Sequence, residues 1–111
     1  MPGTMLSRGN ILYAYTIAPS LTPAAVAVST SAEQTFTIQG LILGDQIGAV
    51  GPTTTQTAGI FIVNSRVPSN DRLIIQFGNH GSATATPVSG LYQVEVNRPE
   101  TGGAALPTTA G

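Results

Sequence analysis

The chain has 111 residues, with no cysteine, lysine or tryptophan, and only four basic residues against five acids. That length makes one domain with a single core, and without cysteine neither a disulfide nor a thiolate metal site can hold it together. A net charge of -1 leaves no basic face to neutralise phosphates, which argues against a nucleic-acid partner.

Charged residues are 8% of the chain, far below the roughly one quarter usual in soluble domains. Thr, Ser, Gly, Ala, Gln and Asn must therefore cover the surface, or an assembly must hide part of it. No apolar run is longer than residues 11–15, so no membrane span is expected. Arg8, the apolar residues 11–15 and Ala25-Val26-Ala27 imitate a signal peptide. Pro19, Ser20, Thr22 and Pro23 interrupt what would have to be its apolar core, so cytoplasmic synthesis is the expectation.

Residues 1–10 mix Pro, Gly and polar side chains and read as a flexible N-terminal arm, with Met5 and Leu6 its apolar anchors. Residues 11–17 then alternate, with Ile11, Tyr13, Tyr15 and Ile17 on one face, which is a first strand ended by Pro19 and Pro23. Residues 24–30 fit either a short helix or a strand; the alternation of Val26 and Val28 favours the strand. Residues 33–43 read as a strand with Phe36 and Ile38 inward and a bulge or bend at Gly40. Gly44-Asp45 signals a turn, residues 46–50 a short strand, and residues 51–56 a loop.

Residues 57–80 are the stretch around which the rest is organised. Two strands, residues 59–63 and 73–77, flank a polar connection holding Asn64, Pro68, Ser69, Asn70 and Asp71. Leu73, Ile75 and Phe77 share one face, the period of two that marks a half-buried strand. A Gly/Asn/Thr/Pro loop over 78–89 leads to the cleanest alternation of all, residues 91–98, with Tyr92, Val94 and Val96 inward. Residues 99–111 form a tail without periodicity. The pattern specifies an all-β domain over residues 11–98: an antiparallel β-sandwich, Ig-like or jelly-roll-like, of six to eight short strands. The expected core is Tyr13, Tyr15, Phe36, Ile38, Ile60, Ile62, Leu73, Ile75, Phe77, Tyr92, Val94 and Val96.

Signals for chemistry are weak. His80 stands in Asn79-His80-Gly81, which is turn composition, and lacks metal-ligating partners at useful spacing. A triad of His80 and Ser82 with Asp45 or Asp71 would need the fold to assemble it, and there is no G-x-S-x-G elbow. The acids are scattered, and Gly40, Gly44 and Gly48 lack the lysine or helix that a phosphate loop needs. With its Phe residues at core-facing positions, the chain offers no aromatic platform for sugars. No enzyme activity, cofactor or metal is expected.

Two longer patterns add to this. The first is Gly44-Asp45-x-Ile47, Pro52 and Gly59-Ile60-x-Ile62-x-Asn64-x-Arg66-Val67. The second is Asp71-x-Leu73-x-Ile75-x-Phe77-x-Asn79, Pro87 and Tyr92-x-Val94-x-Val96-x-Arg98-Pro99. Together they resemble the small β-sandwich head decoration, or cement, proteins of tailed bacteriophages. The resemblance spans residues 11–99 and rests on strand and turn patterns. It implies a non-enzymatic virion protein on the outer capsid surface, a homo-oligomer, commonly a trimer, that clamps neighbouring subunits of the major capsid protein. Low charge and a core of modest size suit a protein stabilised by mass action on a lattice. The candidate interface residues are Met5, Leu6 and Arg8 in the arm, with Arg66 and Arg72 beside the central turn, since arginine is the usual interfacial cation. The alternative is a tail, vertex-spike or host-adhesion module using the loops 51–56 and 78–89.

Overall fold

The computed structural model describes residues 11–99. The expected arm, with Met5, Leu6 and Arg8, and the tail beyond Pro99 lie outside the described residues. Within them the chain is all-β, with seven strands: β1 (Ile11–Ile17), β2 (Ser20–Leu21), β3 (Thr30–Thr37), β4 (Gln46–Pro52), β5 (Ile60–Arg66), β6 (Arg72–Asn79) and β7 (Gly90–Pro99). No helix among the described residues is long and apolar enough to cross a membrane.

One sheet sets β7 between β1 with β2 on one side and β4 on the other; the second orders β3-β6-β5. All pairings are antiparallel. Tyr15 pairs with Val96 and Ser20 with Leu91, so β2 continues β1 in the same register. Pro19 therefore interrupts the first strand without ending it, because Pro19 still gives its carbonyl to the Tyr92 N–H. Counting β1 and β2 as one strand, the first pairs with the last and the second with the second-to-last. That is jelly-roll wiring, with β5–β6 the one local hairpin among the described residues, and it selects the jelly-roll-like of the two expected sandwiches.

The core is the inner faces of β6 and β7: Leu73, Ile75, Phe77, Tyr92, Val94 and Val96 are fully buried. Phe77 and Tyr92 meet edge to face at 6.3 Å across the two sheets. Tyr15, Phe36, Ile38 and Ile62 pack against this cluster from the flanking strands and the turn after β3, as their alternation predicts. Tyr13 does not: it is 56% exposed, because its partner on β7 is Arg98 at the end of the sandwich, beyond the apolar residues.

Leu21, Val26, Leu41, Val67 and Pro87 complete the core from loops or strand ends. Residues 24–30 are not the favoured strand. Before Thr30, where β3 begins, only Val26 pairs, in a single bridge to Ala85, and Ser29 turns the chain with φ +60°. The strand expected over 33–43 is shifted. It starts at Thr30 and ends at Thr37, and Gly40 sits at φ +101° in the following turn and not in a bulge.

The β5–β6 turn explains that ending. Asp71, itself at φ +64°, accepts the Gly40 N–H on Oδ1 at 2.9 Å and donates its own N–H to the Leu41 carbonyl at 2.8 Å. Asn70 Oδ1 takes the Leu43 N–H at 2.9 Å. The polar residues of the central connection thus clasp the β3–β4 turn, using the local side-chain chemistry that makes Asx residues good turn formers.

Candidate functional site

The described domain has two ends and two outer faces, and its polar side chains are distributed unevenly among them. At the clasped end, Arg98 on β7 and Asp45 before β4 form a two-pronged ion pair. Nε donates to Oδ1 and Nη2 to Oδ2, each at 2.8 Å. Nη2 also reaches the Gly40 carbonyl at 2.8 Å and Tyr15 Oη at 3.3 Å. The Asp45 side chain is completely enclosed and that of Arg98 is 19% exposed. Burial pushes the Asp45 carboxyl up, but hydrogen bonds from Arg98 and from the Ile42 N–H outweigh it and hold the group below its ordinary value. This pair is a fastener: every prong is spent on a turn or a neighbouring strand.

The opposite end is held by neutral groups. Asn79, 2% exposed, donates to the carbonyls of Val26 and Ala83 and accepts the Gly81 N–H. Gln56 accepts the N–H groups of Thr57 and Val88 and donates to Tyr92 Oη, which itself donates to the Val88 carbonyl at 2.6 Å. The Thr57 hydroxyl donates to the Thr86 carbonyl. Burial pushes the Tyr92 hydroxyl above its ordinary pKa, partly offset by Gln56. The expected loops 51–56 and 78–89 are in the structure the connections 53–59 and 80–89, since β4 runs to Pro52 and β6 to Asn79, and these bonds join them side by side.

His80 begins the second of these loops, exposed, with its ring 5.5 Å from that of Phe61. Asp71 lies at the other end of β6, on the order of 30 Å away along an extended strand, and Asp45 is locked at that same far end. The fold does not bring His80 and Ser82 together with either acid. Among the described residues no three His, Asp or Glu side chains gather as a metal site would require.

Of the candidate interface arginines, Arg66 and Arg72 lie within the described residues and fall on one surface. Register places Arg66 beside Ile74 and Arg72 beside Thr37, so both project from the outer face of the β3-β6-β5 sheet. Arg66 spans that face to Glu33 on β3, with Nη2 to Oε1 at 3.0 Å and Nε to Oε2 at 3.3 Å. The hydrogen bond and charge of Glu33 raise the already high pKa of Arg66. Arg72 donates to the carbonyl of Asp71 at 3.2 Å.

Sequence reasoning missed the apolar part of the surface. Phe61 faces outward, 45% exposed, with Val63 beside it at 48%. That corrects the core-facing reading of the Phe residues: with Ile60 and Ile62 turned in, alternation forces Phe61 and Val63 out. Phe61 lies across Gly78, where a Cβ would come within 2.5 Å of the ring, so only glycine lets the ring settle there. A groove of about 540 Å³ runs between Phe61, Val63, His80 and residues 29–31. At the clasped end Ile42 and Leu43 are 40% and 67% exposed, on a turn that hydrogen bonds to Asn70, Asp71 and Asp45 hold in place. Leu12 and Leu91 are exposed on the other sheet.

No protein-family model matches the sequence, and neither a curated protein nor a solved structure matches it.

Proposed function

We propose that this chain is a virion structural protein, a decoration protein that binds the outer surface of a tailed-phage head and holds neighbouring subunits of the major capsid protein together. The observation that carries the reading is the exposure of large apolar side chains, Leu43 and Phe61 among them, on rigid turns and strands. The chain around them has very few charges. A protein with such a surface gains by covering it, and a repeating lattice offers many copies of one complementary site. The resemblance over residues 11–99 supports the same reading. The polar side chains buried in this fold fix turns and do not converge on a cleft.

Purified protein added to isolated heads that lack it should sediment with them and raise the temperature at which they break open. Leu43→Asp should leave the far-UV circular dichroism unchanged while weakening head binding at least about tenfold, as expected for an apolar anchor in an interface. A wild-type protein that stays in the supernatant at saturating concentration would remove the shell from its partners.

The second reading, a tail, vertex-spike or host-adhesion module, is favoured by one observation. The connections 53–59 and 80–89, which contain most of the loops 51–56 and 78–89 expected to make the contact, are braced against each other at a single end, through Thr57–Thr86 and Gln56–Val88. In that case contact runs through the end opposite Leu43, and Leu43→Asp has no effect.

A further inference from the structure

The two sheets leave four strand edges unpaired among the described residues, those of β1, β3, β4 and β5. Unpaired edges invite association, and folds blunt them with bulges, prolines or lysines. β1 is bulged between Ile11 and Tyr13 and broken at Pro19. β4 is bulged between Ile47 and Val50 and ends at Pro52, and β5 is bulged between Ile62 and Asn64. β3 alone keeps an unbroken register, from Thr30 opposite Asn79 to Thr37 opposite Arg72, and it contains neither proline nor a basic residue.

The phase of its ladder is fixed by the Ile38 N–H, which donates to the Asp71 carbonyl on the β6 side. Alternation then turns Thr30, Ala32, Gln34 and Phe36 toward β6. The N–H and C=O groups of Ser31, Glu33, Thr35 and Thr37 point to the free edge. No hydrogen bond among the described residues, from main chain or side chain, reaches these groups from outside the sheet.

We propose that β3 pairs antiparallel with β3 of a second copy about a two-fold axis at Gln34. This register puts Ser31 opposite the partner's Thr37 and Glu33 opposite the partner's Thr35, with the symmetry-related pairs completing the set. It uses every outward group of the strand and makes about eight main-chain hydrogen bonds. Sliding by two residues would lose one hydrogen-bonded pair. In one direction it would also set Glu33 opposite Glu33, a like-charge pair that destabilises a sheet. Every copy of the chain carries this same edge, and in this register its one charged residue, Glu33, meets Thr35 and no like charge, which fits a second copy as the partner. The result is one continuous sheet, β5-β6-β3-β3-β6-β5. The inference stands independently of the shell reading, and it replaces the trimer implied by the resemblance with a two-fold pair.

Sedimentation equilibrium of the full chain should give the mass of two chains. Thr35→Pro should give one chain with unchanged circular dichroism, because the lost N–H points away from β6 and its bond is removed twice by symmetry. Thr35→Val, which keeps the main chain intact, should remain a dimer. The register has its own test in a chain without cysteine. Gln34 would face its symmetry mate at a Cα separation of about 4.5 Å, within disulfide reach. Gln34→Cys should therefore oxidise to a covalent dimer, whereas Ser31→Cys, distant from its own mate, should not. Gln34 also bonds to the main chain of Ala24, so the Gln34→Cys result counts when its circular dichroism matches wild type, and Thr35→Pro decides otherwise. A wild-type mass of one or three chains, or equal cross-linking of the two cysteine variants, would overturn the proposal.

Discussion

Replacing Arg98 by methionine should cost the domain about 3 kcal/mol at neutral pH, measured by urea denaturation. Methionine keeps the unbranched apolar stem and removes the guanidinium, so the loss is chiefly electrostatic and polar. Asp45 would be left fully enclosed with only the Ile42 N–H to satisfy it, and the carbonyl of Gly40 would lose its donor. Removing one partner of a buried pair costs about 3–5 kcal/mol; the low end applies because part of the Arg98 side chain meets solvent.

The pH dependence carries a sign. In the wild type the carboxyl of Asp45 is held below its ordinary value of 3.8. Its contribution is therefore complete above the unfolded pKa and is lost as pH falls through the lower folded value. In Arg98→Met both interactions with Arg98 are gone and only the Ile42 N–H opposes burial, so the protonated acid is favoured. The gap between wild type and variant should shrink on going from pH 7 to pH 3. A gap that holds constant over that range would show that the pair contributes by packing and not by charge. Replacing both residues with apolar ones should recover much of the loss, as expected when a buried pair is exchanged for a packed contact.

Phe77→Ala should cost about 3–5 kcal/mol, from lost transfer energy and the cavity left behind. Phe77 is fully buried and spans the space between the sheets, with its ring edge-on to Tyr92 on β7. Its ladder neighbours are Ala32 on β3 and Ile62 on β5, and an alanine and a half-buried isoleucine cannot swing in to fill the gap. Phe61→Ala is the control. That ring is 45% exposed on the outer face and should cost far less, although the two residues share a type and are indistinguishable by composition. Equal losses would mean that the outer face is covered in solution, which is itself informative about self-association.

The strands were legible because period-two alternation survives wherever one face of a strand is buried. Leu73, Ile75 and Phe77, and again Tyr92, Val94 and Val96, announced the two central strands that everything else pairs with. What failed did so at strand ends and in loops. Jelly-roll wiring carries the chain over the ends of the sandwich repeatedly, so Leu21, Val26, Leu41, Val67 and Pro87 close the core from positions with no periodicity. Tyr13 had the right phase but the wrong height, level with Arg98 rather than with the apolar centre.

The surface was half legible. Arg66 and Arg72 do share one exposed face, yet the bond from Arg66 to Glu33 depends on β6 lying between β3 and β5, which local sequence does not encode. The Arg98–Asp45 fastener joins residues 53 positions apart, and nothing in their spacing could pair them. Phe61 and Val63, by contrast, could have been placed outward from the inward assignment of Ile60 and Ile62 alone.

The decoration reading is tested most directly by the copy number of this protein relative to the major shell protein in purified particles, measured by quantitative mass spectrometry. A decorator of the whole lattice should approach one copy per shell subunit. A ratio of a few per hundred would place the protein at a vertex or tail, and its absence from the particle would contradict the virion reading altogether.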